Sequence, residues 1–263
     1  MEKETRFGLI MAIMIATLVG SAIPGGRSLK AAGTIQEPLL PNPPVIARSP
    51  DEQHLVWAQL TPDGKSIMII DGQAQPGEYD EIHHLVTFSP DGKRIAYMAR
   101  KGAKWSVVVD GRAGPEYLSL SYLTFSPDGK RLAYGATKGD QWFVVLDGKE
   151  MSTLHSFVAY LTFSPDGRRF AYAADSGTKQ FMVVDGRAGP EYDATGEPVF
   201  SPDGRHIAYV AMDSDKKRCV VLDGKEGEKY DWIEKPVFSA DGEHIAYSVR
   251  KGDKSLVVVD GWE

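Results

Sequence analysis

Carboxylates and imidazoles recur along this chain at fixed intervals, and these are the groups that bind metals and move protons. Asp91, Asp128, Asp166, Asp203 and Asp241 each sit in a short Ser-Pro-Asp-Gly or Ser-Ala-Asp-Gly string. Asp71, Asp110, Asp147, Asp185, Asp223 and Asp260 each end an apolar run and precede a glycine. Calcium requires about six to eight oxygens converging on one point, and one carboxylate per turn does not supply them. Both series therefore read as turn residues. His54, His206 and His244 share one repeat position, where other copies carry Arg94, Arg131 and Arg169. A place that alternates between His and Arg reads as a solvated basic site beside a turn, whereas zinc needs its ligands within ~2.1 Å of one point. His83 and His84 fall outside the shared pattern, and either ligand contact or loop polarity accounts for them. Cys219 is the single cysteine, in the apolar run Cys219-Val220-Val221-Leu222, so it reads as a packed thiol with no disulfide partner. No G-x-S-x-G, H-E-x-x-H, Walker loop or G-x-G-x-x-G occurs. We accordingly expect no catalytic residue, no metal site and no cofactor.

The elements that carry these residues are repeats. F-S-P-D-G occurs at 88–92, 125–129, 163–167 and 200–204, with F-S-A-D-G at 238–242 and a degenerate Ser49-Pro50-Asp51-Glu52. The phenylalanine spacings are 37, 38, 37 and 38. The Asp-Gly marker keeps the same period independently, with spacings of 39, 37, 38, 38 and 37. Two markers in one phase define six units. Within a unit, turn chemistry separates short β-branched and aromatic runs: in the second, 85–88, 94–98, 105–109 and a weaker strand from Gly114. After each turn come a large apolar residue, a small one and an aromatic, as in Ile95-Ala96-Tyr97. Apolar side chains on both faces mean a strand covered on both sides. No stretch after Gly33 keeps a helical period. The fold expected is all-β: a six-bladed β-propeller of four-stranded antiparallel blades over residues 44–263.

The F-S-P-D-G-K-R-I-A-Y unit resembles the WD-repeat-like propeller repeat of the TolB type, over roughly residues 44–262. That resemblance implies an exported bacterial envelope protein that binds other proteins. The chain differs from TolB in showing no separate α/β domain ahead of the propeller.

The start of the chain reads as an export signal. Lys3 and Arg6 precede an apolar run over 7–19, and Gly20, Ser21 and Ala22 make a small-residue exit. Residues 1–22 form the signal peptide, with an uncleaved anchor as the alternative. The run is too short for a span of ~20 residues, so no stable membrane span is expected after cleavage. Residues 23–43, dense in proline and glycine, read as a linker. The sixth unit supplies only three strands before Glu263, so residues 34–40 are expected to close the ring along 256–259. The product would be periplasmic or secreted, and monomeric.

Composition narrows the partner. With 30 basic and 36 acidic side chains the net charge is −6, which argues against nucleic acid. Where repeat copies agree, a residue serves the blade; where they differ on one face, it is free to serve a ligand. The segments 81–84, 119–122, 156–160, 193–197 and 231–235 differ most, and we expect them as loops around one mouth of the channel. That mouth would present His83, His84, Tyr122, Tyr160, Glu197, Trp232, Glu234 and Lys235, a mixture suited to a protein or peptide partner. The alternative is a lactonase- or glycosidase-like enzyme, or a small-ligand or metal binder, using Glu81, Asp193, Glu197, Asp231 and Glu234. A third is a purely structural envelope module. The signal reading is checked by N-terminal sequencing of exported protein: it should begin at Ile23, and a product beginning at Met1 would refute cleavage.

Overall fold

The Asp-Gly pairs dictate the local architecture. Asp147 and Gly148 take φ values of 53° and 76°, two successive left-handed residues that turn one strand tightly into the next. Aspartate tolerates that conformation better than most side chains because it can hydrogen-bond locally. Here one carboxylate oxygen accepts the Leu132 amide at 3.0 Å and the other accepts Arg131 Nε at 3.0 Å. The Ser-Pro-Asp-Gly turn is held in the same way. Ser126 Oγ donates to Asp128 at 2.6 Å and accepts the Arg131 amide at 2.9 Å, while Gly129 N–H closes the turn on the Ser126 carbonyl.

These turns generate six antiparallel sheets in chain order in a computed structural model that describes residues 46–151 and 155–261. In the second sheet Glu81–Phe88 pairs with Ile95–Lys101, that strand with Lys104–Val109, and the last with Arg112–Tyr117. The described residues contain no helix. In the fifth sheet the inner strand is interrupted: Ala194–Thr195 and Val199–Phe200 both pair with Ile207–Met212. The sixth repeats this with Trp232–Ile233 and Val237–Phe238 on Ile245–Lys251, whose other edge carries Lys254–Val259. Pro198 and Pro236 stand in the two interruptions, where a residue without an N–H cannot continue the ladder. Together these are the blades of a six-bladed propeller.

Each sheet buries its faces against its sequence neighbours. Val56, Ala58 and Met68 of the first pack with Ile95 and Tyr97 of the second, and equivalent clusters join each later pair through the sixth. Leu55, Trp57 and Ile69, on the first sheet's other face, form a cluster of their own. The middle seams carry a polar fastening as well. Arg131, anchored on Asp147, reaches the Arg168 carbonyl of the next sheet at 3.0 Å and lies 5.4 Å from the centroid of the Phe163 ring. Arg94 and Arg169 do the same one sheet to either side. The repeated basic position is thus a half-exposed clasp between blades, more constrained than a solvated site. The signal peptide, the linker and the closing strand expected at 34–40 lie outside the described residues.

Two predictions follow from the turns. Gly167 sits at φ +71°, and an added Cβ would lie 2.9 Å from Asp128 Oδ1 of the preceding sheet. Gly148, at φ +76°, faces open space. Gly167→Ala should cost about 1–3 kcal/mol, and more than Gly148→Ala, in urea denaturation; equal costs would show that the seam contact is soft. The second concerns acid. Asp91, Asp128, Asp166 and Asp203 are held below the usual carboxylate range, chiefly by the serine hydroxyl and then by a backbone amide. A depressed folded value gives stability that is present above the unfolded value and lost as pH falls through the folded one. The melting temperature should hold from neutral pH to about 5 and drop below about 4, and a flat profile down to about pH 2 would contradict it.

Candidate functional site

The segments that differ most between repeats are not loops. They belong to the first halves of the inner strands, which carry a bulge in the second, third and fourth sheets. Thr124 pairs with Ala133 and Ser121 with Gly135, so Tyr122 and Leu123 share the single partner position of Tyr134. Thr162 pairs with Ala171 and Ala159 with Ala173, which leaves Tyr160 and Leu161 facing Tyr172 in the same way. In the second sheet the shift falls between Ile82 and Val86 and sets His83, His84 and Leu85 opposite Met98. In the fifth and sixth sheets the interruptions take its place, and they hold Glu197, Glu234 and Lys235. An extra residue re-aims side chains, and this is how one strand position comes to serve something other than the sheet.

Three residues before the shared phenylalanine stand Leu85, Tyr122, Tyr160, Glu197 and Lys235, one in each of five consecutive sheets. Leu85, Tyr122 and Tyr160 are exposed. Tyr122 and Tyr160 take φ values of 52° and 54°, a left-handed conformation that costs a bulky side chain on the order of 1–3 kcal/mol. Tyr122 meets Phe157 of the next sheet edge-on, with centroids 6.3 Å apart. Burial, with the neighbouring Tyr160 phenol, pushes the Tyr122 hydroxyl upward, so it is a neutral donor at physiological pH. Lys235 Nζ reaches Glu197 at 2.7 Å across the fifth and sixth sheets. The arc therefore passes from apolar and aromatic to one ion pair.

The remaining expected residues are placed less uniformly. His83 stacks on His84 at 4.2 Å, and its imidazole is pushed down by burial first and by His84 second. A depressed value keeps His83 neutral at physiological pH. Trp232 is exposed, but the Arg218 guanidinium lies 3.5 Å from its ring centroid and covers one face. Glu234 uses its amide to bond the Ser248 carbonyl at 3.0 Å. Leu85 was not among the expected residues. Its phase, identical to that of Tyr122 and Tyr160, was the signal that marks it. His155 was also missed: it is buried where other outer strands carry tyrosine, 3.4 Å from the Tyr172 hydroxyl, and burial pushes its imidazole down.

Four of the five acidic residues of the enzyme alternative are engaged with cations. Glu81 pairs with Arg100 at 3.0 Å, Asp193 with Lys179 and Lys216, Asp231 with Lys217, and Glu197 with Lys235. Among the described residues no three His, Cys, Asp or Glu side chains converge as a metal site. Cys219 is buried, and burial pushes its thiol up to about 11. His54, His206 and His244 each bond their Asp-Gly aspartate, at 2.7, 2.6 and 2.6 Å, in separate sheets. No helix of the described residues is long and apolar enough to cross a membrane.

No family model matches the chain, and no curated protein matches it. Among solved structures it is similar to TolB from Acinetobacter baumannii at 21% identity and a TM-score of 0.40, over 81% of this chain. The chain spans 59% of that protein's length. Hydrazine synthase from Kuenenia stuttgartiensis is similar at 16% identity and a TM-score of 0.38, over 86% of this chain and 79% of that one. A putative TolB from Agrobacterium tumefaciens is similar at 19% identity and a TM-score of 0.37, over 70% and 79%. The fold assignment rests on the sheet topology of this chain, and no function follows from these likenesses.

Proposed function

We propose that this protein is an exported, non-catalytic propeller that binds an extended segment of another protein along the bulged inner strands. The carrying observation is that Tyr122 and Tyr160 hold exposed rings on left-handed backbone at one repeat position in adjacent sheets. A bulky residue in that conformation persists where the surrounding structure imposes it, and such positions cluster at binding sites. Leu85, Tyr122 and Tyr160 offer apolar and aromatic area to the ligand's side chains, and the Tyr122 hydroxyl offers a hydrogen-bond donor. The Glu197–Lys235 pair sets a charged end to this arc and so favours one polarity of the bound chain. An envelope partner, met in the periplasm or outside the cell, fits the signal-like N-terminus.

The test replaces both tyrosines by asparagine, which accepts left-handed backbone at lower cost. Tyr122→Asn/Tyr160→Asn should melt within about 1 kcal/mol of wild type. It should bind the partner captured from envelope extract roughly tenfold or more weakly, as loss of an aromatic anchor does. Unchanged affinity with unchanged melting would refute this surface.

A further inference from the structure

The outer strands end on a buried side chain that faces the next sheet. Tyr79, Tyr117, His155, Tyr192 and Tyr230 share one ladder position, opposite Ser66, Trp105, Trp142, Gln180 and Arg218. All five are between 1 and 7% exposed, His155 at 3%. Tyrosine is neutral in such a seat, whereas histidine is the side chain whose charge ordinarily changes between about pH 5 and 8.

The seams also differ in what receives this side chain. Tyr117 donates to Glu150 of the third sheet at 3.1 Å, and Tyr192 to Glu226 of the fifth at 2.9 Å. Those glutamates stand opposite Val145 and Val221, and the same place in the fourth sheet, opposite Val183, is Ala188. His155 therefore meets no carboxylate there. Its Nε2 lies 3.4 Å from the Tyr172 hydroxyl, and its ring stands edge-on to Tyr172 and Phe181 at 5.8 and 5.6 Å.

The surrounding elements bring no counter-charge to it. In the fourth sheet Phe170–Asp175 carries Tyr172 and Asp175, whose carboxylate takes the Gly177 amide. Gln180–Val184 carries no titratable residue, and Arg187–Tyr192 carries Tyr192 with Arg187 and Glu191, both exposed. In the third sheet Gln141–Leu146 carries none, Lys149–Glu150 presents an exposed lysine, and Leu132–Lys138 carries Tyr134 and Lys138, the latter held by Glu150 at 2.7 Å. The inner strands of the two sheets add only the phenols of Tyr122 and Tyr160. Burial alone holds the imidazole below its usual value, so it is neutral at physiological pH. Protonated in place, it would be a buried cation beside a phenol and no anion, a cost that opening of the seam relieves.

His155 is tied to the tyrosine surface as well. Its amide and its carbonyl bond Trp142 at 2.7 and 2.8 Å. The Trp142 ring meets Phe157 at 6.1 Å, and Phe157 meets Tyr122 at 6.3 Å. The ladder pair that His155 completes thus carries the rings on which Tyr122 leans.

We propose that His155 is a proton switch for that surface: on taking up a proton it leaves its seat against the fourth sheet, frees Trp142 and withdraws the Phe157 support from Tyr122, so that the bound segment is released in mild acid. The release rests on the binding reading above, and the opening does not. The freed imidazole has its usual value and the seated one a lower value, so acid favours the open form by about tenfold per pH unit below about 6.5, until the seated value is reached. The opening is local, so it registers in amide exchange and not in the melting temperature.

The test follows hydrogen exchange of the full chain from about pH 7.5 to 5.5. Protection of the Trp142 and His155 amides should fall about tenfold per pH unit below about 6.5, with Trp105 and Tyr117, the same ladder pair in the second sheet, unchanged. The Tyr122 ring resonances should shift over the same interval. His155→Phe, which keeps a ring without a titrating nitrogen, should abolish the step, as should His155→Tyr/Ala188→Glu, which imports the Tyr117–Glu150 arrangement. A protein captured on the wild-type chain from envelope extract should bind roughly tenfold more weakly at about pH 5.5 than at about pH 7, and with constant affinity to His155→Phe. A flat profile at 142 and 155, an equal fall at 105 and 117, or a step that survives His155→Phe would overturn the switch. An exchange step with unmoved Tyr122 resonances or constant wild-type affinity would overturn its coupling to the surface, whereas failure of the binding reading itself shows separately, as unchanged affinity of Tyr122→Asn/Tyr160→Asn. If neither variant folds, the two wild-type ladder pairs decide.

Discussion

The structure depends on a carboxylate held in a left-handed turn. In each repeat the Asp-Gly aspartate gives one oxygen to the first amide of the sheet's second strand and the other to the basic residue beside that amide. The turn is thereby locked to the strand it must oppose, and the basic side chain is aimed away from its own sheet. Where that residue is arginine, its planar fork keeps donors to spare after pairing with aspartate, and these reach carbonyls on the next sheet. Where it is histidine, Nδ1 bonds the aspartate and the ring is too short to extend the same bridge. One local motif thus makes the hairpin and, by choice of cation, the strength of the polar contact between blades.

Everything else follows from sheets that are apolar on both faces. Such a sheet cannot stand in water by itself, and each buries its surface only against its neighbours, as in other repeat architectures. Small residues on one face, such as Ala96 and Ala133, let the aromatic layer of the adjacent sheet approach closely. Neighbour-only packing concentrates weakness at the ends of the array. Blades two to four carry the arginine clasps, and the histidines occupy the first, fifth and sixth. The exposed Val257 and Val259 are the same weakness seen as surface.

Bulges separate the variable positions from the scaffold. A residue that obeys the two-residue alternation must point into one sheet interface or the other. The extra residue in the inner strands of the third and fourth sheets escapes that alternation, and both times it is a tyrosine. Prolines end the inner ladder in the fifth and sixth sheets and release the same position to Glu197 and Lys235. The scaffold is therefore repetitive while one position per blade is free to differ.

The sequence by itself determined the number of repeats, the all-β class, the two turns and the strand order, because turn chemistry and alternating apolar runs are local properties spaced at a constant period. It also marked which segments vary between the repeats. It could not show that these segments are bulged strands: a bulge is a mismatch between two paired strands, and neither carries it alone. For the same reason the histidine and arginine positions read as ordinary solvated sites until pairing set each beside an aspartate sixteen or seventeen residues away. The grouping of Leu85, Tyr122 and Tyr160, each about one repeat apart in the chain, was decided by tertiary structure, since only the stacking of sheets converts equal phase into adjacency in space.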